Sequence, residues 1–385
     1  MRSLILLVAA ALSAGAQATS TIPAQLTHAE LWQLNAEFSE NGGYFRSDNF
    51  LSNETGFQYV IPELQRIVKP GGVYMGVGPE QNFTYIVALK PKMAIIVDIR
   101  RGNMLEHLMY KALFEMSNDR ADFLSMLFSR VRPAGLDTAS TPAAMFNAYI
   151  AAPADSARYR RNLAAIEQHL SRDDGFALGD SDTKSLEYVY SAFFGGGPEI
   201  NYNYRPGGSA FGGGGGGGFG RGGFGMPNYA TLQIATDSAG KNWAYLATES
   251  NFRWLKDFET KNLLVPVVGD FAGPKAIVAV GKYVAAHHAI VSAFYTSNVE
   301  QYLWQQDDQA SRYYKNVSTL PLDATSSFIR SIGGGRGAIA PPRAAAQQAR
   351  LGGRLPSVTS SILDLIKAFD AGKLLSYADV IAMSR

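Results

Sequence analysis

The 385-residue sequence contains no cysteine, which removes disulfides, zinc–thiolate sites, iron–sulfur clusters and thiol nucleophiles together. It is poor in net charge: 35 basic residues against 33 acidic leave a formal +2. A chain so balanced is not built to coat a nucleic acid, and no nucleic-acid partner is expected. Charged residues make up only 18% and hydrophobic ones 46%, so a packed core is expected and wholesale disorder is excluded. Long apolar runs are also missing. The best candidate, 276–295, is interrupted by Lys282, His287 and His288, whereas a spanning helix needs about 20 apolar residues. Histidine is scarce. His28, His107, His169, His287 and His288 show no His-Glu-x-x-His spacing, and no metal site is expected from them.

What is present begins with an address. Arg2 precedes the apolar stretch from Leu4 to Leu12, and Ala14-Gly15-Ala16 and Ala16-Gln17-Ala18 offer small-residue cleavage patterns. Residues 1–18 therefore read as a signal peptide, and export to the periplasm or beyond is expected. Residues 19–70 form an N-terminal helical segment with a lid-like loop. Thr27-His28-Ala29-Glu30 is a capping box opening a helix with Leu31, Leu34 and Phe38 on one face. From Ser39 to Glu54 no period is visible, and the spacing of Ile61, Leu64 and Ile67 predicts a short helix over 60–68.

Residues 71–330 read as a doubly wound, mostly parallel α/β domain of Rossmann-like kind. Val73–Gly78 and Met93–Asp98 are apolar runs closed by glycines and by a carboxylate, and Pro79 with Gln81 opens a helix between them. Helices are expected at 104–116, 119–128 and 242–261. Leu263–Asp270, a helix from Lys275 and Ala289–Tyr295 make a second βαβ unit. Sixteen of the 31 residues from 195 to 225 are glycine, so that stretch is expected to be a mobile insertion and not a phosphate loop. Residues 331–357 read as a flexible linker, and 358–385 as a C-terminal helical tail with helices near 361–369 and 377–382.

Ligands of open parallel sheets bind outside the carboxyl ends of the strands. Those ends carry Gly76 and Gly78, then Asp98, Asp270, and Asn298 with Glu300. Asp98 follows Gly78 by 20 residues, the distance at which a carboxylate reaches ribose hydroxyls. Gln81 stands where the next helix presents its N–H groups. A pyrophosphate would meet Glu80 unfavourably, so a ligand without phosphate, such as an adenosyl amino acid, fits better. On the other reading, Gly76 and Gly78 shape a tight turn and Asp98 caps a neighbour. Asp48, Asn49, Asn53 and Glu54 either contact ligand from a lid or make Asx turns. Asn53-Glu54-Thr55, Asn82-Phe83-Thr84 and Asn316-Val317-Ser318 are glycosylation sequons by chance on this reading.

The stretch from Gly72 to Arg101 resembles the first motif and second strand of class I S-adenosylmethionine-dependent methyltransferases. The wider run is similar to an uncharacterised bacterial family with that fold. The residues carrying this are Phe45-Arg46-Ser47-Asp48-Asn49-Phe50-Leu51-Ser52-Asn53-Glu54, Gly76-Val77-Gly78-Pro79-Glu80-Gln81-Asn82, Val97-Asp98-Ile99-Arg100, Val267-Val268-Gly269-Asp270-Phe271-Ala272-Gly273-Pro274 and Tyr295-Thr296-Ser297-Asn298-Val299-Glu300. The resemblance implies S-adenosylmethionine as cofactor, with Gly76 and Gly78 facing its methionine part and Asp98 its ribose. Gln81, Asn53 and Glu54 would add contacts, and Asp270, Asn298 and Glu300 would line the acceptor side. A methyltransferase-like protein is the leading expectation, and the alternative is a non-enzymatic exported protein that reuses the same pocket for another nucleoside-like ligand or a partner.

Overall fold

The computed structural model describes residues 19–207, 226–332 and 355–385. The expected signal peptide, residues 208–225 of the glycine-rich stretch and residues 333–354 of the expected linker lie outside the described residues. The chain enters through α1 (His28–Phe38), where Thr27 and Glu30 close the capping box from both sides, and α2 (Ile61–Ile67). β1 (Val73–Gly76), α3 (Gln81–Leu89) and β2 (Met93–Asp98) follow. A long crossover then carries α4 (Arg101–Met116), α5 (Arg120–Leu127), α6 (Pro142–Ala151), α7 (Ser156–Gln168), α8 (Asp180–Gly196), α9 (Tyr229–Ile234) and α10 (Glu249–Thr260). β3 (Leu264–Val268), α11 (Ala276–Ala286), β4 (Val291–Ser297), α12 (Val299–Leu303), α13 (Gln309–Val317), β5 (Ser327–Ser331) and β6 (Ser357–Ser361) complete the sheet. Two helices, α14 (Ile362–Asp370) and α15 (Tyr377–Ala382), end the chain.

The six strands lie in the order β3-β2-β1-β4-β5-β6, parallel except for β6, which pairs antiparallel with β5. This is an α/β fold with a mostly parallel sheet, compatible with a Rossmann-like architecture. Chain direction reverses beside β1, so β1 and β4 flank a topological switch point. Right-handed crossovers then place α3, α4 and α10 on one face and α11 and α13 on the other. β1 to β4 are buried almost throughout, as apolar strands covered on both faces must be. Pro266 sits in β3, an edge strand, where a missing N–H interrupts no ladder.

Several expected elements shift. β3 and β4 share the sheet but are separated by β2 and β1, so the second βαβ unit is the crossover that switches direction. α10 starts at Glu249, not Asn242, because Thr248 caps it through Asn251 N. Upstream, Trp243 N donates to Gln58 Oε1 and Trp243 Nε1 to Asp237 Oδ2, both at 2.7 Å, and hold that stretch as a turn. α3 starts at Gln81, not Pro79, whose carbonyl is taken by the Asn82 side chain. Residues 195–207 are ordered and not a mobile insertion. Gly195 and Gly196 end α8, the Tyr204 ring packs on Gly195, and Asn201 pairs with Asn228. The C-terminal segment is not wholly helical, since residues 357–361 form the sheet's last strand.

Candidate functional site

The glycine turn after β1 is built around Asn82. Its Nδ2 donates to the carbonyls of Val77, Gly78 and Pro79, and its Oδ1 accepts from the Tyr74 hydroxyl at 2.9 Å. A Cβ on Gly76 would stand 2.0 Å from that Oδ1, and Gly78 has a φ of +76°, so both positions require glycine. Asn82 is fully buried, which leaves no room for a glycan there.

Beneath the turn, Glu80 meets a buried carboxyl and a buried imidazole from α4, those of Glu106 and His107. Glu80, Glu106 and His107 are each about 1% exposed. The His107 Nε2–H donates to Gly78 O at 2.8 Å, which leaves Nδ1 as a bare acceptor. Burial pushes the His107 pKa down to about 4 and the Glu80 pKa up to about 8. Glu106 is pushed well above the carboxylate range by burial and then by Glu80. Glu80 Oε2, Gln81 Oε1, Asn103 Nδ2, Glu106 Oε1 and His107 Nδ1 are all buried without a hydrogen-bond partner. A signal for them was present. Apolar residues fall on every face of α4 between Met104 and Phe114, so polar residues within that helix had to be interior.

Asp98 ends β2 next to this group, 5% exposed. Its oxygens accept from Arg100 Nε (3.1 Å), Arg100 NH2 (3.0 Å) and Arg100 N (2.8 Å). The neighbouring Arg101 pairs with Asp182 across to α8. Both arginines therefore have structural partners.

Residues 39–57 run as a strap across the carboxyl ends of the strands. Val268 N donates to Ser39 Oγ, Glu40 N to Val268 O, and Gly43 N to Ile99 O at 2.8 Å. Asp48 O accepts from Arg100, and its carboxylate from the Tyr188 hydroxyl. Phe50 and Leu51 are buried, with the Phe50 ring against Tyr188 and Phe193. Glu54 ends the crossing, buried, and accepts from Gln81 Nε2 (2.9 Å), Tyr295 OH (2.8 Å) and Ser297 Oγ (2.6 Å). Burial raises its pKa despite those donors. The strap thus links the ends of β3, β2 and β4 with the start of α3 in one span. Surface clefts between α14 and α15, and between residues 22–24 and α10, include no residue of this edge.

The structure brings Gly76, Gly78, Gln81, Glu54 and Asp98 to one edge. Asn53 lies partly exposed on the strap beside them. Asp270 follows β3, where its Oδ1 accepts from Ala272 N. Beside it Glu40, from the strap, accepts from Asp270 N and Lys275 N at the start of α11. Asn298 precedes α12. Glu300 is drawn away: it is 1% exposed and paired with the fully buried Arg330 of β5, with the Tyr314 hydroxyl on Oε1 at 2.7 Å.

A family model described as a domain of unknown function, DUF7790, matches residues 49–174 and 226–352. These two stretches hold more than half of the chain, and the chain belongs to that family. No curated protein matches.

Proposed function

We propose that this member of the DUF7790 family is an exported protein that binds a small phosphate-free ligand of the S-adenosylmethionine or nucleoside class, under the strap at the carboxyl ends of β1 and β2. The observation that carries this reading is the group of five unpartnered buried polar atoms around the Gly76–Gln81 turn. Buried polar atoms in native proteins are nearly always satisfied by protein, ordered water or ligand. Burial raises the pKa of Glu80, Glu106 and Glu54, and Asp98 is paired with Arg100, so these groups offer hydrogen bonds more than charge. They suit a polar ligand without phosphate, since Arg100 is already paired and would not meet a pyrophosphate's charge. Gly76 is filled by the Asn82 side chain, so Gly78 would be the point where such a ligand approaches backbone, with Asp98 on its ribose and Gln81 and Asn53 beside it. Asp270 and Asn298 would flank the far side.

Binding is favoured over methyl transfer by one particular: Glu300, expected on the acceptor side, is committed to Arg330. The test is calorimetric titration of the full mature chain with S-adenosylmethionine, S-adenosylhomocysteine and adenosine. Micromolar binding weakened at least tenfold by Glu106→Gln is expected. No heat at millimolar ligand from a folded protein would overturn the proposal. Turnover of S-adenosylmethionine to S-adenosylhomocysteine with any acceptor would move the reading to a transferase.

A further inference from the structure

We infer a second site, for a divalent first-row transition metal of the zinc class, formed by His28, Glu115, His169 and Asp174 on the molecule's α1–α4 side. One ligand atom from each of Glu115, His169 and Asp174 lies within 4.8 Å of the other two, the only such group among the described residues. His169 Nε2 is 2.7 Å from Glu115 Oε2 and 3.8 Å from Asp174 Oδ1. His28, the first residue of α1, adds Nδ1 at 2.7 Å from Asp174 Oδ1. Zinc ligands stand about 2.0–2.2 Å from the metal, which puts neighbouring ligands about 3–3.5 Å apart. The present separations bracket that spacing, and small side-chain rotations would close it.

A second observation points to a missing partner. The Asp174 side chain is 1% exposed, and its Oδ2 has no hydrogen bond. His28 Nδ1, though close to Asp174, is not aimed for a hydrogen bond either. An outer shell is already in place, of the kind that orients ligands in metal centres. Asp173 Oδ2 is 3.5 Å from His169 Nδ1. Lys111 Nζ holds Glu115 Oε1 and is itself anchored on Glu259 O at 3.0 Å, which leaves Glu115 Oε2 facing His169. The local backbone is unusual as well. His169–Asp173 is a π-helical turn, a distortion that recurs at functional sites, and it turns His169 and Asp174 towards Glu115 together.

Donor chemistry selects the ion. Two imidazoles and two carboxylates match zinc and its neighbours better than calcium or magnesium, which prefer all-oxygen shells. Glu115, Asp174 and the adjacent Asp173, set against Lys111, leave two negative charges to balance a 2+ ion. The His28 side chain is 40% exposed and opens a route from solvent.

The experiment uses the full chain without an affinity tag, stripped with chelator, and titrated with zinc chloride by calorimetry with metal counted by mass spectrometry. One zinc per chain with a micromolar or tighter Kd is expected, uncompeted by millimolar magnesium. His28→Gln, at the exposed ligand, should weaken binding at least tenfold while leaving the metal-free melting temperature in place. His169→Asn should weaken it further. X-ray absorption of the loaded protein should show nitrogen and oxygen donors with imidazole scattering. No bound zinc, or zinc binding unchanged in both variants, would overturn the site.

Discussion

At the scale of single residues, burial sets the chemistry of this protein. Glu80 has its pKa raised by burial from 4.5 to about 8. Between those values the native chain holds a proton that the unfolded chain has lost, so stability falls as pH rises through that window and levels off above about 8. Glu80→Gln keeps the shape and removes the titration. Its unfolding free energy, measured in urea, should gain on the parent's from pH 5 to pH 8, by on the order of a few kcal/mol. An unchanged difference at the two pH values would refute the assignment. Glu259 is raised to the same range, but it is present in both proteins and cancels. Glu300 forms a buried ion pair with Arg330. Glu300→Gln leaves the Arg330 guanidinium buried without a counter-charge, which costs about 3–5 kcal/mol. A loss below about 1 kcal/mol on chemical denaturation would contradict a structural role, since that is the range of exposed pairs. The residues at the turn were legible because Gly76, Gly78 and Asp98 sit at fixed distances along the chain. Arg330 was not, since it lies 30 residues beyond its partner in a strand too polar to read as one.

At the scale of elements, the strap lies across the sheet edge that carries the candidate site. It was legible as a stretch without period and as a lid-like loop. The residues that anchor it could not be read, because Val268, Ile99, Arg100, Tyr188 and Tyr295 are spread across the chain. Its anchor is Phe50, buried against Tyr188 and Phe193. Phe50→Ala removes a buried ring, a change worth about 3–5 kcal/mol in well-packed sites. The strap's amides at Glu40 and Gly43, bonded to Val268 O and Ile99 O, should then exchange with deuterium faster. Those of β1 and β2 should hold their protection, as expected when one unit opens locally. Exchange rising in step across the strands would show that the strap is no separable unit. The same contrast explains which strands were visible. β1 to β3 are apolar runs ended by glycine or aspartate and β4 has an apolar centre at Ala293–Tyr295, whereas Ser-Phe-Ile-Arg-Ser and Ser-Val-Thr-Ser-Ser bury hydroxyls and an arginine instead.

At the scale of the whole molecule, the sheet is closed by the last thirty residues of the chain. β6 covers the edge of β5, Arg330 donates to the Ser360 hydroxyl, and Arg385 and Thr359 are paired backbone to backbone. Behind it, Val358, Ile362, Leu365, Val380 and Ile381 are all fully buried. Each such side chain contributes about 1.5–3 kcal/mol, so together they rival the about 5–15 kcal/mol of net stability usual for a domain. A chain ending at residue 354 would also present β5 as an unpaired edge, which invites pairing with another copy. That truncation should melt well below the full chain and elute as oligomer or aggregate on size exclusion. A monomeric truncated protein with the parent's melting temperature would mean that β6 is dispensable. The expected outcome instead makes the C-terminal segment part of the fold that holds β4, β5 and the Glu300–Arg330 pair in place. Through Ser297 and Tyr295 on β4, it also makes that segment part of the support for Glu54 at the candidate site.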